Sequence, residues 1–438
     1  ARLMLVLASL FFYAYWKLGY LPLLLGSIAV NYSIGSYLRG NHQSRVKKPV
    51  MLLGVTFNLG LLGYYKYADF LVFNINALTD SDLALSHLLL PLAISFYTFQ
   101  QIAFLVDAYR DRVAAPGFLN YCLFVCFFPQ LIAGPIVHHA KVVPQFNRDE
   151  FLRVDIDNLR VGAFLIAVGF FKKTVLADAL VPLVGTGFAS AASLPPHEVA
   201  LVALAYTFQL YFDFSGYTDM AMGAARCFNI RLPLNFNSPY RSRNIREFWR
   251  RWHITLNDFM TRYVYGPLRG DARTGSRPLV AIFITFVLVG IWHGAGWNFV
   301  LFGVLHAVAV VFVTVMAGRF DFLSEHIAVA ATFLFFVLSL VLFRSVDADA
   351  AFAMYRALFD LGYYFGNSAT DTSSVLDITL LDLSVVAACA LLCFAARNSN
   401  ELSADARLQS RMLPLTLALF VIALSINTSS SEFIYFNF

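Results

Sequence analysis

Apolar residues recur along this chain in runs near 3–15, 20–38, 50–63, 88–106, 119–137, 161–171, 175–192, 199–222, 278–317, 328–343, 375–396 and 412–427. Short polar breaks separate them. A simple membrane span needs roughly 20 predominantly apolar residues, and several runs are shorter. Those are expected to be re-entrant or buried against other helices. The pattern predicts an all-α polytopic membrane protein with about 10–12 helices entering the bilayer, some of them re-entrant. No long polar linker divides the runs, so residues 1–438 are read as one domain.

Composition strengthens this picture. The 438 residues are 59% hydrophobic and only 13% charged, with a mean hydropathy of +0.66, whereas soluble domains carry about 25% charged residues. The chain begins at Ala1 without a Met, which reads as a removed tag or upstream segment, or as an excerpt. Cys122, Cys126, Cys227, Cys389 and Cys393 all lie in apolar runs and read as small core residues. No metal set follows from their spacing. His138 and His139 fall just beyond a run broken by Pro129, Gly134 and Pro135. With no third ligand near them in sequence, they read as a solvated pair.

Charges inside apolar runs change the expectation more. Lys172 and Lys173 are expected to snorkel to the headgroups. Asp213 and Asp219, with Ser215 nearby, interrupt the run from Leu201 to Ala225. A carboxylate there must face protein or water, and the following arginine-rich stretch is its simplest partner. From Arg231 to Arg277 the chain holds ten arginines against three acids. The positive-inside rule makes this stretch cytoplasmic. Arginine forks suit phosphates, and the flanking spans make nucleic acid an unsuitable partner. Asn244 is placed to cap a helix starting at Ile245. Ile245, Phe248, Trp249, Trp252 and Leu256 form its apolar stripe, Glu247 pairs with Arg251, and His253 lies at the stripe's edge.

Pro278 to Gly318 is 41 residues without Asp, Glu, Lys or Arg. A single helix of that length would run about 60 Å, twice the hydrocarbon thickness. The segment must therefore turn, and Gly294 and Gly296 mark the place. His293 then lies roughly 20 Å into the segment. A histidine deep in lipid calls for a functional reason. His306 sits about 220° further round an unbroken helix and is secondary. Four aspartates and no basic residue between Arg356 and Arg397 make that loop extracytoplasmic.

Taken together, FWRRWH, GIWHGAGWNF and FGVLHA resemble the membrane-bound O-acyltransferases. LPLAISFYTFQ…DAYR, YFDFSGYTDMAMG and the terminal FIYFNF resemble the bacterial branch that acetylates alginate, cellulose and other exopolysaccharides. The short loop from Arg269 to Arg277 and the His138–His139 pair depart from the family pattern. The resemblance implies a helix upstream of Ala1, a catalytic role for His293, and His253 as the second signature position, orienting the thioester or polarising its carbonyl. Acetyl-CoA is then the cytosolic donor substrate, with no bound cofactor or metal. Arg241, Arg243, Arg246, Arg250 and Arg251, with Trp249 and Trp252, would bind the donor. Asp213, Ser215, Asp219, Trp292, Trp297, Asn298 and His306 would line or support the pore. The implied setting is the bacterial inner membrane, with a periplasmic acetyltransferase or adaptor and a polysaccharide acceptor as partners. Two other readings stay open: acyl or D-alanyl transfer from a carrier-protein phosphopantetheine, and export of a small anion or lipid-linked sugar.

Overall fold

A computed structural model describes every residue except 1, 41–44, 86, 113–116, 133, 149–150, 152, 192, 271–274, 320–323, 366–375, 406–410, 427–430 and 432–438. The terminal FIYFNF motif and residues 366–375 of the acidic stretch after Arg356 lie outside the described residues. Among the described residues the regular structure is helical, with no strand. Four helices among the described residues are long and apolar enough to cross a membrane: Leu18–Gly40, Pro196–Cys227, Trp297–Val315 and Glu325–Arg344. Arg2–Trp16, Pro278–His293, Leu380–Phe394 and Met412–Ile426 are shorter apolar helices. Large apolar side chains on their outer faces, such as Val308, Phe312, Leu334, Leu391 and Leu424, are exposed as lipid contact requires.

The chain forms two compact units. The first comprises Ala1–Ile166 and Met220–Leu234. Its helices include α1 (Arg2–Trp16), α2 (Leu21–Gly40), α3 (Lys47–Leu62), α4 (Ile94–Tyr109), α5 (Phe118–Cys126), α6 (His139–Phe146) and most of α7 (Ile156–Phe171). Polar side chains fasten α2, α3 and α4. Asn31 and Asn58 exchange amide hydrogen bonds at 3.2 and 2.6 Å, and Gln101 donates to Ser27 Oγ at 2.9 Å. In lipid such bonds bind helices that have no hydrophobic reason to associate. The run from Leu90 to Arg112 reads as an ordinary span, yet α4 is buried continuously from Ile94 to Leu105. Its Gln100 and Gln101 suit a protein interior, not a lipid face.

The second unit comprises Ala167–Asp219 and Asn235–Phe438. It contains most of α8 (Pro196–Cys227), then α9 (Ile245–Arg251), α10 (Ile254–Met260), α11 (Pro278–His293), α12 (Trp297–Val315), α13 (Glu325–Arg344), α14 (Leu380–Phe394) and α15 (Met412–Ile426). The charge-free segment does turn at Gly294–Gly296, giving the hairpin α11–α12. Its arms meet through glycine: a Cβ on Gly290 would lie 2.7 Å from Gly303 Cα. Any side chain there would push the helices apart.

Candidate active site

Asn244 caps α9 as its sequence predicts, accepting from Glu247 N–H at 2.9 Å. Glu247 pairs with Arg251 at 2.7 Å. The helix does not continue through His253, however. Trp252 is extended and His253 takes a left-handed conformation (φ 43°, ψ 51°) before α10 starts at Ile254. Such a backbone is uncommon for a non-glycine residue and must be held by its surroundings. The preceding segment does this. Asn237 N–H donates to Arg251 O, and Ile254 N–H donates to Asn235 O, both at 2.9 Å. Leu256 therefore belongs to a second short helix, and the predicted stripe is split.

Asn235 is the residue that sequence reasoning missed. Its buried Oδ1 accepts from Thr255 N–H at 3.3 Å and Thr255 Oγ1–H at 2.9 Å. These donors identify the atom as the amide oxygen. His253 Nδ1, 3.1 Å from the same oxygen, must then carry a proton. Burial pushes the His253 imidazole down to about 3, so the ring is neutral and Nε2 is its acceptor nitrogen. A neutral ring in this tautomer has no donor at Nε2 to polarise a thioester carbonyl, which corrects that part of the expected role.

The His253 ring packs against Phe214 of α8, with centroids 4.9 Å apart, and against Trp292 at 6.0 Å. Trp292 also contacts His293, at 4.9 Å. The two histidines, 40 residues apart in sequence, thus share one indole. His293 ends α11, is buried, and has Phe343 at 5.0 Å and Phe302 at 6.1 Å. Both imidazoles thus sit packed among aromatic side chains.

His306 is accounted for otherwise. Trp249 Nε1–H donates to His306 Nδ1 at 3.2 Å. An indole only donates, so Nε2 carries the His306 proton and gives it to Ser339 Oγ at 3.0 Å. Ser339 in turn donates to Phe336 O at 2.8 Å. This chain ties α9, α12 and α13 together and fixes every proton in it.

The expected donor-binding residues divide. Arg243, Arg246 and Arg250 line a half-open cavity of about 1000 Å³, walled by apolar side chains such as Phe312 of α12, Phe335 of α13 and Met316 just after α12. Arg243 also pairs with Glu325 at 2.6 Å. The other four face elsewhere. Arg241 donates to the carbonyls of Cys393 and Ala396 at the end of α14, and Arg251 is held by Glu247. Trp249 and Trp252 are buried, Trp252 among Tyr240, Phe248 and Phe336. They are core residues that position the turn at His253.

The support residues divide as well. Asn298 donates to Leu342 O and Ser345 O, capping α13. Trp297 is 55% exposed and so faces away from the interior. Ser215 is buried on α8. Asp213 and Asp219 pair with lysines, not with the arginine stretch. Lys173 Nζ lies 2.9 Å from Asp213 and 2.7 Å from Asp178, and Lys172 Nζ lies 2.6 Å from Asp219. Neither lysine snorkels. A π-helical stretch over Lys172–Ala177 follows α7, and its wider turn lets two adjacent lysines both reach protein carboxylates. Close approach to α8 requires Gly216, whose Cβ would lie 2.7 Å from Gly169 O.

An all-α polytopic membrane protein with two buried, indole-linked histidines and an arginine-lined cavity has the parts of a membrane-embedded transferase. The profile of the membrane-bound O-acyltransferase family matches residues 107–347. The chain belongs to that family and is an O-acyltransferase. It is 38% identical to a peptidoglycan O-acetyltransferase of Helicobacter pylori, over 100% of this chain and 91% of that protein. A probable alginate O-acetylase of Pseudomonas aeruginosa is 37% identical over 82% of this chain and 70% of its own. A teichoic acid D-alanyltransferase of Bacillus subtilis is 30% identical over 50% and 57%.

Proposed function

We propose that this protein moves an acetyl group from cytosolic acetyl-CoA across the bacterial inner membrane for O-acetylation of a cell-envelope or extracellular polysaccharide. Likeness to a peptidoglycan O-acetyltransferase along the whole chain supports the acetyl group and the polymeric acceptor. The observation that carries the mechanism is the pair His253 and His293 on a shared Trp292. His293 is the general base. It takes the proton of the acceptor hydroxyl as that oxygen attacks the thioester carbonyl; the C–S bond breaks, and the proton passes to the departing CoA sulfur. The acceptor is a polymer hydroxyl or a serine of a periplasmic partner. His253, held by Asn235, positions the reacting groups through an acceptor nitrogen. Arg243, Arg246 and Arg250 supply the charge for donor phosphates.

The deciding experiment is acetyl-CoA turnover by purified protein in detergent, wild type beside His293→Ala, with folding checked by size exclusion. Loss of roughly 10²-fold or more in a folded variant supports the assignment. Equal turnover in both removes His293 from the chemistry. The likeness to a teichoic acid D-alanyltransferase over half the chain favours a second reading, a donor borne on a carrier protein. No turnover of acetyl-CoA by wild type, together with turnover of an acylated carrier, would establish it.

A further inference from the structure

Away from His253 and His293, three ligand-type side chains converge within the first unit. Asp107 lies in the last turn of α4 and is buried, and its Oδ2 is 2.6 Å from His138 Nε2. His139 opens α6 and is also buried. Neighbouring side chains on a regular backbone usually diverge. Here His138 is extended (φ −96°, ψ 130°) and His139 begins a helix, and the change brings the rings to 4.6 Å between centroids. Phe104 and Phe124 meet the His139 ring edge-on at 5.9 and 6.2 Å and fix its direction. One ligand atom from each of Asp107, His138 and His139 lies within 4.8 Å of the others. Sequence spacing placed no third ligand near the two histidines; the fold brings Asp107 to them.

We propose that Asp107, His138 and His139 bind a divalent transition-metal ion of the zinc class, with solvent completing its coordination. Two imidazoles and a carboxylate suit zinc or cobalt(II), whereas magnesium and calcium take oxygen ligands. A dication supplies counter-charge to a carboxylate buried in a membrane protein. The His138 side chain is 18% exposed, which gives ion and water a way in. A tetrahedron with bonds of about 2.1 Å has edges of about 3.4 Å, so binding at Asp107 Oδ2 and His138 Nε2 replaces their 2.6 Å hydrogen bond and opens that contact by about 0.8 Å. The proton balance is simple. In the metal-free site Ala140 N–H donates to His138 Nδ1 at 3.3 Å, which leaves the ring proton on Nε2, facing Asp107. Metal binding at Nε2 moves that proton to Nδ1 and gives up this long capping bond; the imidazole stays neutral. The ion would clamp the start of α6 to the end of α4, where Lys47 already bridges to Asp111 at 2.8 Å.

The test uses the full chain in detergent, stripped with a chelator and then titrated with cobalt(II) and zinc. One equivalent of cobalt with the absorption of a low-symmetry four- or five-coordinate site, displaced by zinc, is expected. Zinc should raise the unfolding temperature of wild type. Asp107→Asn and His139→Ala should each weaken binding by at least about tenfold, while His197→Ala, at an exposed histidine, should leave it unchanged. A purely aqueous cobalt spectrum in folded wild type would overturn the proposal and leave Asp107–His138 as a hydrogen bond alone. Unchanged binding in the folded ligand variants would overturn it equally. If either variant fails to fold, the wild-type spectrum and zinc shift decide.

Discussion

Asn235→Ala is the substitution that most directly tests how the turn carrying His253 is held. One amide oxygen serves Thr255 N–H, Thr255 Oγ1–H and His253 Nδ1–H at 3.3, 2.9 and 3.1 Å, and both Asn235 and His253 are fully buried. A buried donor deprived of its partner costs about 1–3 kcal/mol. The Thr255 hydroxyl can rotate, and its backbone bond is the longest of the three. The expected destabilisation is therefore about 2–4 kcal/mol, less than three full penalties. Unfolding in detergent, followed by denaturant titration, reads this loss. The same substitution frees His253 to take the other tautomer, so turnover should fall at least about tenfold even where the protein remains folded. Thr255→Val provides the control. Because both substitutions act on one oxygen, their effects should couple by about 0.5 kcal/mol or more. An Asn235→Ala protein within about 0.5 kcal/mol of wild type, or strict additivity with Thr255→Val, would refute the reasoning.

Other outcomes follow from the same geometry. Lys173→Met leaves Asp178 and Asp213 without the ammonium they share, and should cost about 3–5 kcal/mol in denaturant midpoint measurements. Gly216→Ala forces a Cβ to within 2.7 Å of Gly169 O and should destabilise by about 1–3 kcal/mol, visible as a lower unfolding temperature. Burial pushes the His253 imidazole down to about 3, so the unfolded chain takes up a proton that the folded one refuses. The stability contributed by this group is fully present above pH 6.5 and is lost as pH falls towards 3. Denaturant midpoints measured across that window should fall with pH in wild type and fall less in His253→Asn.

Much of the fold was legible in the hydrophobic pattern because membrane helices must satisfy their own backbones. The turn at Gly294–Gly296 followed from length alone: no single helix of that span fits a bilayer. The Asn244 cap and the Glu247–Arg251 pair were legible because both are local. What failed was long-range. Lys172 and Lys173 have the sequence of a snorkelling pair, and only the position of α8 reveals that their carboxylates are Asp219 and Asp213. The stripe through Trp252 and Leu256 kept helical spacing across a break that Asn235 and Asn237 impose from outside. Periodicity cannot register a turn fixed by another segment.

The three histidines of the second unit's interior show what hydrogen-bond bookkeeping adds to burial. His253, His293 and His306 are all buried, and from sequence each is equally a polar residue in an apolar setting. Proton positions separate two of them. His306 stands between an indole that can only donate and a serine whose own proton goes to Phe336 O; each of its nitrogens already has a partner within the fold. His253 is fixed in the opposite tautomer by Asn235, with its acceptor nitrogen on the side away from that anchor. His306→Ala should therefore lower stability through three helices, and where the protein folds its turnover should survive better than that of His293→Ala. If His306→Ala instead abolishes turnover without loss of stability, the closed chain from Trp249 to Phe336 is not what His306 is for.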